Sequence, residues 1–243
     1  MHWQERTELL IGAEGIVQLK KAHVIVVGLG GVGAHAAEQL ARAGVGKLTI
    51  VDGDTIQPNN RNRQLLALKS TEGKAKAELM KERLLDINPE IEIYAIQEYL
   101  NNERLDEIIS QKYDYVVDAI DTLTPKVFLI NQAIKSRHRI VSSMGAGGKI
   151  DPSKVQIADI SKTYNDRLAR YVKKRIRKFG IYNGFPVVFS SELCEPESVI
   201  TVEGEINKKT TVGTISYMPA IFGGFLASLV IRDLLNTTAN RND

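Results

Sequence analysis

Between Lys47 and Lys76 the chain reads KLTIVDGDTIQPNNRNRQLLALKSTEGKAK, an apolar run ending in Asp52 and Asp54 with Asn60, Arg63 and Gln64 close behind. A glycine loop, VIVVGLGGVGAHAAEQL, precedes it and places Gly28, Gly30, Gly31 and Gly33 in the order G-x-G-G-x-G. Glycines in such a loop let the backbone approach a phosphate whose charge the next helix N-terminus stabilises. A turn needed only for tight strand–helix packing is the plainer alternative. Asp52 falls where an acid accepts hydrogen bonds from ribose hydroxyls. To this point NAD and ATP fit equally well.

The cations shift that balance. Arg61, Arg63, Lys74 and Lys76 follow the acids, with the amides Asn59, Asn60 and Asn62 among them. A nicotinamide enzyme has no common need for such a row. Attack of a carboxylate on the α-phosphate of ATP builds negative charge on phosphoryl oxygens. Arginine forks, lysines and a carboxylate-held Mg²⁺ stabilise that charge. Taken singly, each cation reads as a solvated surface residue. As a set behind a phosphate loop, with Asp54, Asn60 and Gln64 as further nucleotide contacts, they read as a site. A second acidic pair, Asp118 and Asp121 in VVDAIDTLTPK, offers a Mg²⁺ ligand, Asp121 for preference. The competing role is helix capping by Asp121 or Thr122, with Pro125 in the first turn.

The surrounding elements must hold these groups at one edge. Apolar β-branched runs at 22–28, 47–52, 91–96 and 113–119 read as strands covered on both faces. Segments 32–43, 73–87, 103–111 and 125–136 read as helices between and after them, and 139–142 as a further short strand. Alternating units of this kind force right-handed crossovers, hence a doubly wound, mainly parallel α/β sheet of Rossmann type. Past Gly145 the alternation breaks: 155–160 and 186–190 suggest strands, and 166–179 a strongly basic helix. The simplest organisation is one domain over 1–243, with a nucleotide-binding core at 1–150 and an irregular C-terminal extension at 151–243.

A chain of 243 residues with 43% hydrophobic and 25% charged residues reads as a soluble globular protein. Its single cysteine, Cys194, excludes an internal disulfide framework and a thiolate zinc cage, favouring the reducing cytoplasm. No leader is visible in MHWQERTELL. The uncharged stretch 210–231 is long enough to raise the membrane question, but Pro219, Gly223, Gly224, Thr214 and Ser216 make it a poor spanning helix. A helix buried against the sheet or at a dimer interface is expected there. His2, His23, His35 and His138 lie away from plausible hydride-handling positions, which counts against a dehydrogenase.

The motifs GLGGVG, VDGDTIQPNNRNRQ, GKAKAE, INPEI and VVDAIDT together resemble the ubiquitin-activating-like adenylating family over roughly residues 1–150. That resemblance implies ribose held by Asp52, phosphates held by Asn60, Arg63 and Lys76, and Mg²⁺ coordinated by Asp121. Arg6, in ERTELLIG, matches an arginine that family members offer across a homodimer interface to the neighbour's ATP. Members serving molybdopterin and thiamine synthesis usually carry paired zinc cysteines and a reactive thiol before the last helix. Here Thr210, Thr211, Val212 and Gly213 stand there instead, and Cys194 lies upstream.

SSMGAGGKIDP, TYNDRLARYVKKRIRKFGI, VVFSSELCEP and GTISYMPAIFGGFLASLVI resemble one branch of the family, the tRNA threonylcarbamoyladenosine dehydratases. The resemblance implies ATP-dependent ring closure of that nucleoside in tRNA, and leaves open a sulfur-relay protein as partner. An intramolecular nucleophile has a high effective concentration, which would account for the missing thiol. From Arg167 to Lys178 there are seven cations (Arg167, Arg170, Lys173, Lys174, Arg175, Arg177, Lys178) and no acid. Such a stripe suits RNA phosphates, though a solvated helix face is the bland reading. Tyr164, Tyr171 and Tyr182 suit stacking on loop bases or plain packing. Glycines at 145–148 could line the activated carboxylate, present carbonyls to a monovalent cation (K⁺ or Na⁺), or simply turn the chain. An activator of a ubiquitin-like or sulfur-carrier protein is the alternative function.

Overall fold

A computed structural model describes residues 2–194, 199–201 and 210–236. Its centre is a seven-stranded sheet of β1 (His23–Val27), β2 (Lys47–Val51), β3 (Glu92–Ile96), β4 (Tyr115–Asp118), β5 (Ile140–Ser143), β6 (Val155–Asp159) and β7 (Pro186–Ser190). The order is β3-β2-β1-β4-β5-β7-β6, with every neighbouring pair parallel except antiparallel β6 and β7. The C-terminal extension therefore continues the same sheet. A separate hairpin pairs β8 (Val199–Thr201) with β9 (Thr210–Val212). Glu195 and Pro196, which end the VVFSSELCEP segment, lie outside the described residues.

The period of two along each strand explains the three layers. Val24 and Val26 point into one core, shared with α2 (Gly33–Ala43), α3 (Lys76–Ile87) and α7 (Tyr217–Asn236). Ile25 and Val27 point into the other, shared with α4 (Asn102–Ile109), α5 (Leu123–Lys135) and α6 (Arg167–Ile176). Each fully buried Val or Ile contributes roughly 1.5–3 kcal/mol of transfer free energy.

The apolar stretch near the C-terminus forms α7, the one described helix long and apolar enough to cross a membrane. It lies on α2, burying Met218, Phe222, Leu226 and Val230. Gly223 makes that approach possible, because a Cβ there would lie 2.5 Å from the Val32 carbonyl oxygen. The N-terminal helix, α1 (Glu5–Lys21), was not legible in the sequence. It breaks at Gly12 (φ 75°), leaves Leu9 and Leu10 exposed, and buries only Gly15 and Leu19.

Candidate active site

Strand order reverses between β1 and β4, which opens a crevice beyond their carboxyl ends. The glycine loop lines it. Gly28 takes φ +92°, and a Cβ there would lie 2.8 Å from the Ala119 carbonyl oxygen. A Cβ on Gly33 would fall 1.7 Å from the Gly28 carbonyl oxygen, so both positions require glycine for packing. Gly31 is close against Pro219 and the Arg63 carbonyl. Gly30 differs. A Cβ there would have only Gln64 Nε2, at 3.8 Å, within reach. The packing alternative thus holds for three of the glycines and fails for Gly30, which faces open space.

Asp52 follows β2. Its carboxylate accepts the Leu29 N–H at 2.6 Å and the Asp54 N–H at 2.8 Å, tying the acid to the glycine loop. Burial pushes its carboxyl above the ordinary aspartate value, with the nearby Lys76 charge pulling against that rise. Lys76, itself buried at the start of α3, puts Nζ 2.8 Å from Asp54 Oδ2. Tyr99 donates its hydroxyl to Asp54 Oδ1 at 2.8 Å, and that bond holds the phenol above its usual range. Nothing in the sequence pattern had singled out Tyr99. Its ring packs against Gly53, where a Cβ would come within 2.8 Å.

A 3₁₀ turn at Pro58–Asn60 presents the amide and arginine block. Buried Asn60 accepts the Gln57 N–H, and Arg63 Nη1 donates to the Asn59 carbonyl at 2.9 Å and Asn62 Oδ1 at 2.8 Å. Arg63 is thereby held with the rest of its guanidinium fork available. Gln64 Oε1 is the one buried side-chain polar atom without a hydrogen-bond partner among the described residues. An orphan of this kind is costly; the other atom of the same amide, Nε2, is the nearest neighbour of a Cβ built on Gly30. Arg61 pairs outward with Glu72 at 3.3 Å, and Lys74 is exposed, so the solvated reading suits those two.

The two acids after β4 have different fates. Asp121 is exposed in the turn before α5, where Thr122 is the N-cap but makes no side-chain cap bond. Asp118 is wholly buried in an ion pair with Lys126 Nζ at 2.7 Å, with Ser142 Oγ at 2.5 Å from the same carboxylate oxygen. It is unavailable as a metal ligand. Among the described residues no three His, Cys, Asp or Glu side chains gather into a cage.

A strap formed by residues 212–219 joins the walls of the crevice. Asn62 Nδ2 donates to the Thr214 carbonyl at 3.0 Å, Gly148 N–H to the Gly213 carbonyl at 2.8 Å, and Tyr217 Oη to the Ile150 carbonyl at 2.8 Å. In the glycine turn of residues 145–148, Gly145 N–H donates to Asp166, a buried acid whose carboxyl burial pushes up. The buried Lys149 ammonium donates to the carbonyls of Asn165 and Glu192. The protein thus brings its own cation to that carbonyl pair. Cys194 is half-buried.

Asp166 caps α6 through the Ala169 N–H at 2.8 Å, and Ala169, Val172 and Ile176 bury one face. Arg167, Arg170, Lys174, Arg175, Arg177 and Lys178 are exposed, and none pairs with an acid among the described residues. Lys173 is otherwise employed, donating Nζ to the Thr163 carbonyl at 2.7 Å. Arg170 covers the Tyr171 ring at 5.2 Å, and Tyr164 packs edge-on against Phe189, leaving Tyr182 the most exposed of the three tyrosines. Arg6 is exposed on α1, a helix packed on α7 and on the Gly46 turn at the amino ends of the strands. Within this chain it is not gathered with Asp52, Arg63 and Lys76.

A doubly wound sheet with a glycine loop, a buried acid after its second strand and a cationic wall defines a nucleotide-dependent adenylating protein. The chain belongs to the ThiF family, whose model matches residues 4–243. It is similar to the tRNA threonylcarbamoyladenosine dehydratase of Bacillus subtilis, 40% identical over 247 residues that cover 97% of this chain and 95% of the relative. The enzyme of that name from Escherichia coli is 35% identical, over 98% of this chain and 97% of its own length. The solved structure of the E. coli tRNA N6-threonylcarbamoyladenosine dehydratase in complex with ATP matches with a TM-score of 0.89 at 34% identity, covering 98% of this chain and 97% of that one.

Proposed function

We infer that this chain is an ATP-dependent enzyme that dehydrates N6-threonylcarbamoyladenosine in tRNA. The single observation that carries the reading is the similarity to dehydratases of that name along nearly the whole chain, including the C-terminal extension. An ATP complex of one such relative supports ATP as the co-substrate.

In the mechanism we propose, the threonyl carboxylate attacks the α-phosphorus of ATP and pyrophosphate leaves. A nucleophile of the same side chain then attacks the acyl carbon. Its proton is lost, the ring closes, and one carboxylate oxygen departs with AMP. Asp52 accepts hydrogen bonds from the ribose, the Gly30 face and the Gln64 amide receive the nucleotide, and Asn60, Arg63 and Lys76 carry the phosphoryl charge. Asp121 would hold Mg²⁺, which neutralises charge on the phosphate oxygens. The residues present fit both groups, on the strength of the Gln64 orphan and the exposed Asp121 carboxylate.

We propose that residues 1–243 work as one adenylating domain, a reading supported by the continuity of the sheet through β7 and β6. The exposed cations of α6 would neutralise tRNA phosphates. A homodimer would bring Arg6 of one protomer to the other's nucleotide, and exposed Leu9 and Leu10 beside it suit burial against a second copy. A monovalent cation near residues 145–148 remains part of the proposal; beside that turn the Lys149 ammonium holds the Asn165 and Glu192 carbonyls. The compartment proposed is the cytoplasm, and a sulfur-relay protein is a proposed partner. Mass analysis of nucleosides from modified tRNA incubated with enzyme and ATP tests the function. Loss of a water mass from the threonylcarbamoyl nucleoside is expected, and an unchanged nucleoside would refute the assignment.

A further inference from the structure

Three polar side chains lie wholly inside the protein where α5 meets the carboxyl ends of β4 and β5. Lys126 Nζ is 2.7 Å from Asp118 Oδ2 and 3.2 Å from Ser142 Oγ, and the Ser142 hydroxyl donates to the same carboxylate at 2.5 Å. Both members of the ion pair have no exposed side-chain area. The remaining oxygen, Asp118 Oδ1, accepts the Ile120 N–H at 3.1 Å. Taking two charges out of water is expensive, and apolar residues of similar volume often serve stability as well or better. Net stability is therefore a weak reason for this pair to exist.

Geometry supplies a stronger one. Ala119, Ile120 and Asp121 lead from β4 towards α5, and Asp118 holds both that link and the helix that follows it. It holds the Ile120 amide directly and the first turn of α5 through Lys126. Lys126 is itself anchored in that turn, its N–H donating to the Thr122 carbonyl. On the other side Ala119 donates its N–H to Val27 at 2.9 Å and packs under Gly28 and Gly33 of the phosphate loop. The ion pair sits behind a short turn that carries Asp121 outward and supports the glycine loop inward.

We propose that Lys126, with Asp118 and Ser142, is a positioning device that sets the Asp121 carboxylate for Mg²⁺–nucleotide binding. The proposal rests on the Mg²⁺–ATP reading above. Lys126→Met alone would strand a buried charge, so the informative variant is D118N/K126M, which removes both charges and retains an acceptor for the Ile120 amide. Its binding of ATP, measured calorimetrically with Mg²⁺ and again with EDTA, is compared with D121A and the triple combination.

The expected result is a D118N/K126M protein that unfolds cooperatively near the wild-type temperature but binds Mg²⁺–ATP about 10–100-fold more weakly. Its EDTA-state binding should change little, and the loss should not add to that of D121A. K126R, which keeps the charge, should retain most of the affinity. Wild-type Mg²⁺–ATP binding by D118N/K126M would overturn the proposal. So would an equal loss with and without Mg²⁺ that adds fully to D121A, because that marks a general packing role. Failure of the wild-type protein to bind ATP at all would instead remove the nucleotide reading on which the proposal stands.

Discussion

Lys76 Nζ lies 2.8 Å from Asp54 Oδ2, yet the lysine side chain is 4% exposed and the aspartate side chain 50% exposed. The ammonium thus has a carboxylate partner facing the crevice and little water of its own. A triphosphate arriving there can take over the ammonium with Asp54 still beside it. Lys76→Met should therefore reduce the rate of AMP formation by about 10²–10³-fold, the usual loss for one electrostatic contact to a developing charge. Asp54→Asn should cost far less in the same steady-state assay. Equal losses would mean that the pair, not the cation, matters.

The glycine loop allows a test that separates packing from binding. Gly33→Ala would drive a Cβ to 1.7 Å from the Gly28 carbonyl oxygen, and should lower the melting temperature sharply or prevent folding. Gly30→Ala meets nothing nearer than 3.8 Å and should leave the melting temperature unchanged. If the nucleotide fills that space, Gly30→Ala should still weaken ATP binding measured by calorimetry.

Asp52 makes acid sensitivity specific. Burial raises its carboxyl above the ordinary value of 3.8, with Lys76 opposing. Because the folded value lies above the unfolded one, the group favours folding most at low pH. That contribution is lost as pH rises through the folded value. Ribose binding has the opposite requirement, an anionic acceptor. Nucleoside affinity should accordingly fall at a pH above the ordinary aspartate range. Lys76→Met should move that fall to higher pH, and Asp52→Asn should abolish it; titration of adenosine binding against pH reads both effects.

On α6, replacing Arg170, Lys174 and Arg177 with alanine should weaken tRNA binding and flatten its salt dependence. The slope should fall by about 0.7–0.9 for each RNA phosphate that is no longer neutralised. ATP affinity should be unaffected. Lys173→Met should act on stability rather than on RNA, because its ammonium is committed to the Thr163 carbonyl. Fluorescence anisotropy over a salt series distinguishes the two behaviours.

Much of this architecture was legible because the strands are apolar on both faces. The β-branched runs around β1, β2 and β4 admit few readings other than a covered parallel sheet. The places of Asp52, Lys76 and the glycine loop in the fold are legible too, since each follows or begins a clear element. Lys126 was not. A lysine in the first turn of a helix reads as solvated until the distance to Asp118, eight residues earlier, is known. Helix α1 leaves little sequence signal because Gly12 breaks it and its apolar residues are largely exposed. Of the acids in VVDAIDT, only three-dimensional packing tells the buried Asp118 from the exposed Asp121. The strap of residues 212–219 depends on backbone carbonyls, which leave no trace in side-chain pattern.

The most direct test of adenylation by the cationic wall is AMP release from ATP in the presence of threonylcarbamoyladenosine-containing tRNA, compared between wild-type protein and Arg63→Ala. The arginine is half-exposed and, among the described residues, its guanidinium bonds within its own loop, so folding should survive its loss. AMP formation should depend on the modified tRNA and fall by about 10²–10³-fold in the variant. Wild-type rates in Arg63→Ala, or AMP release indifferent to the tRNA, would contradict the account.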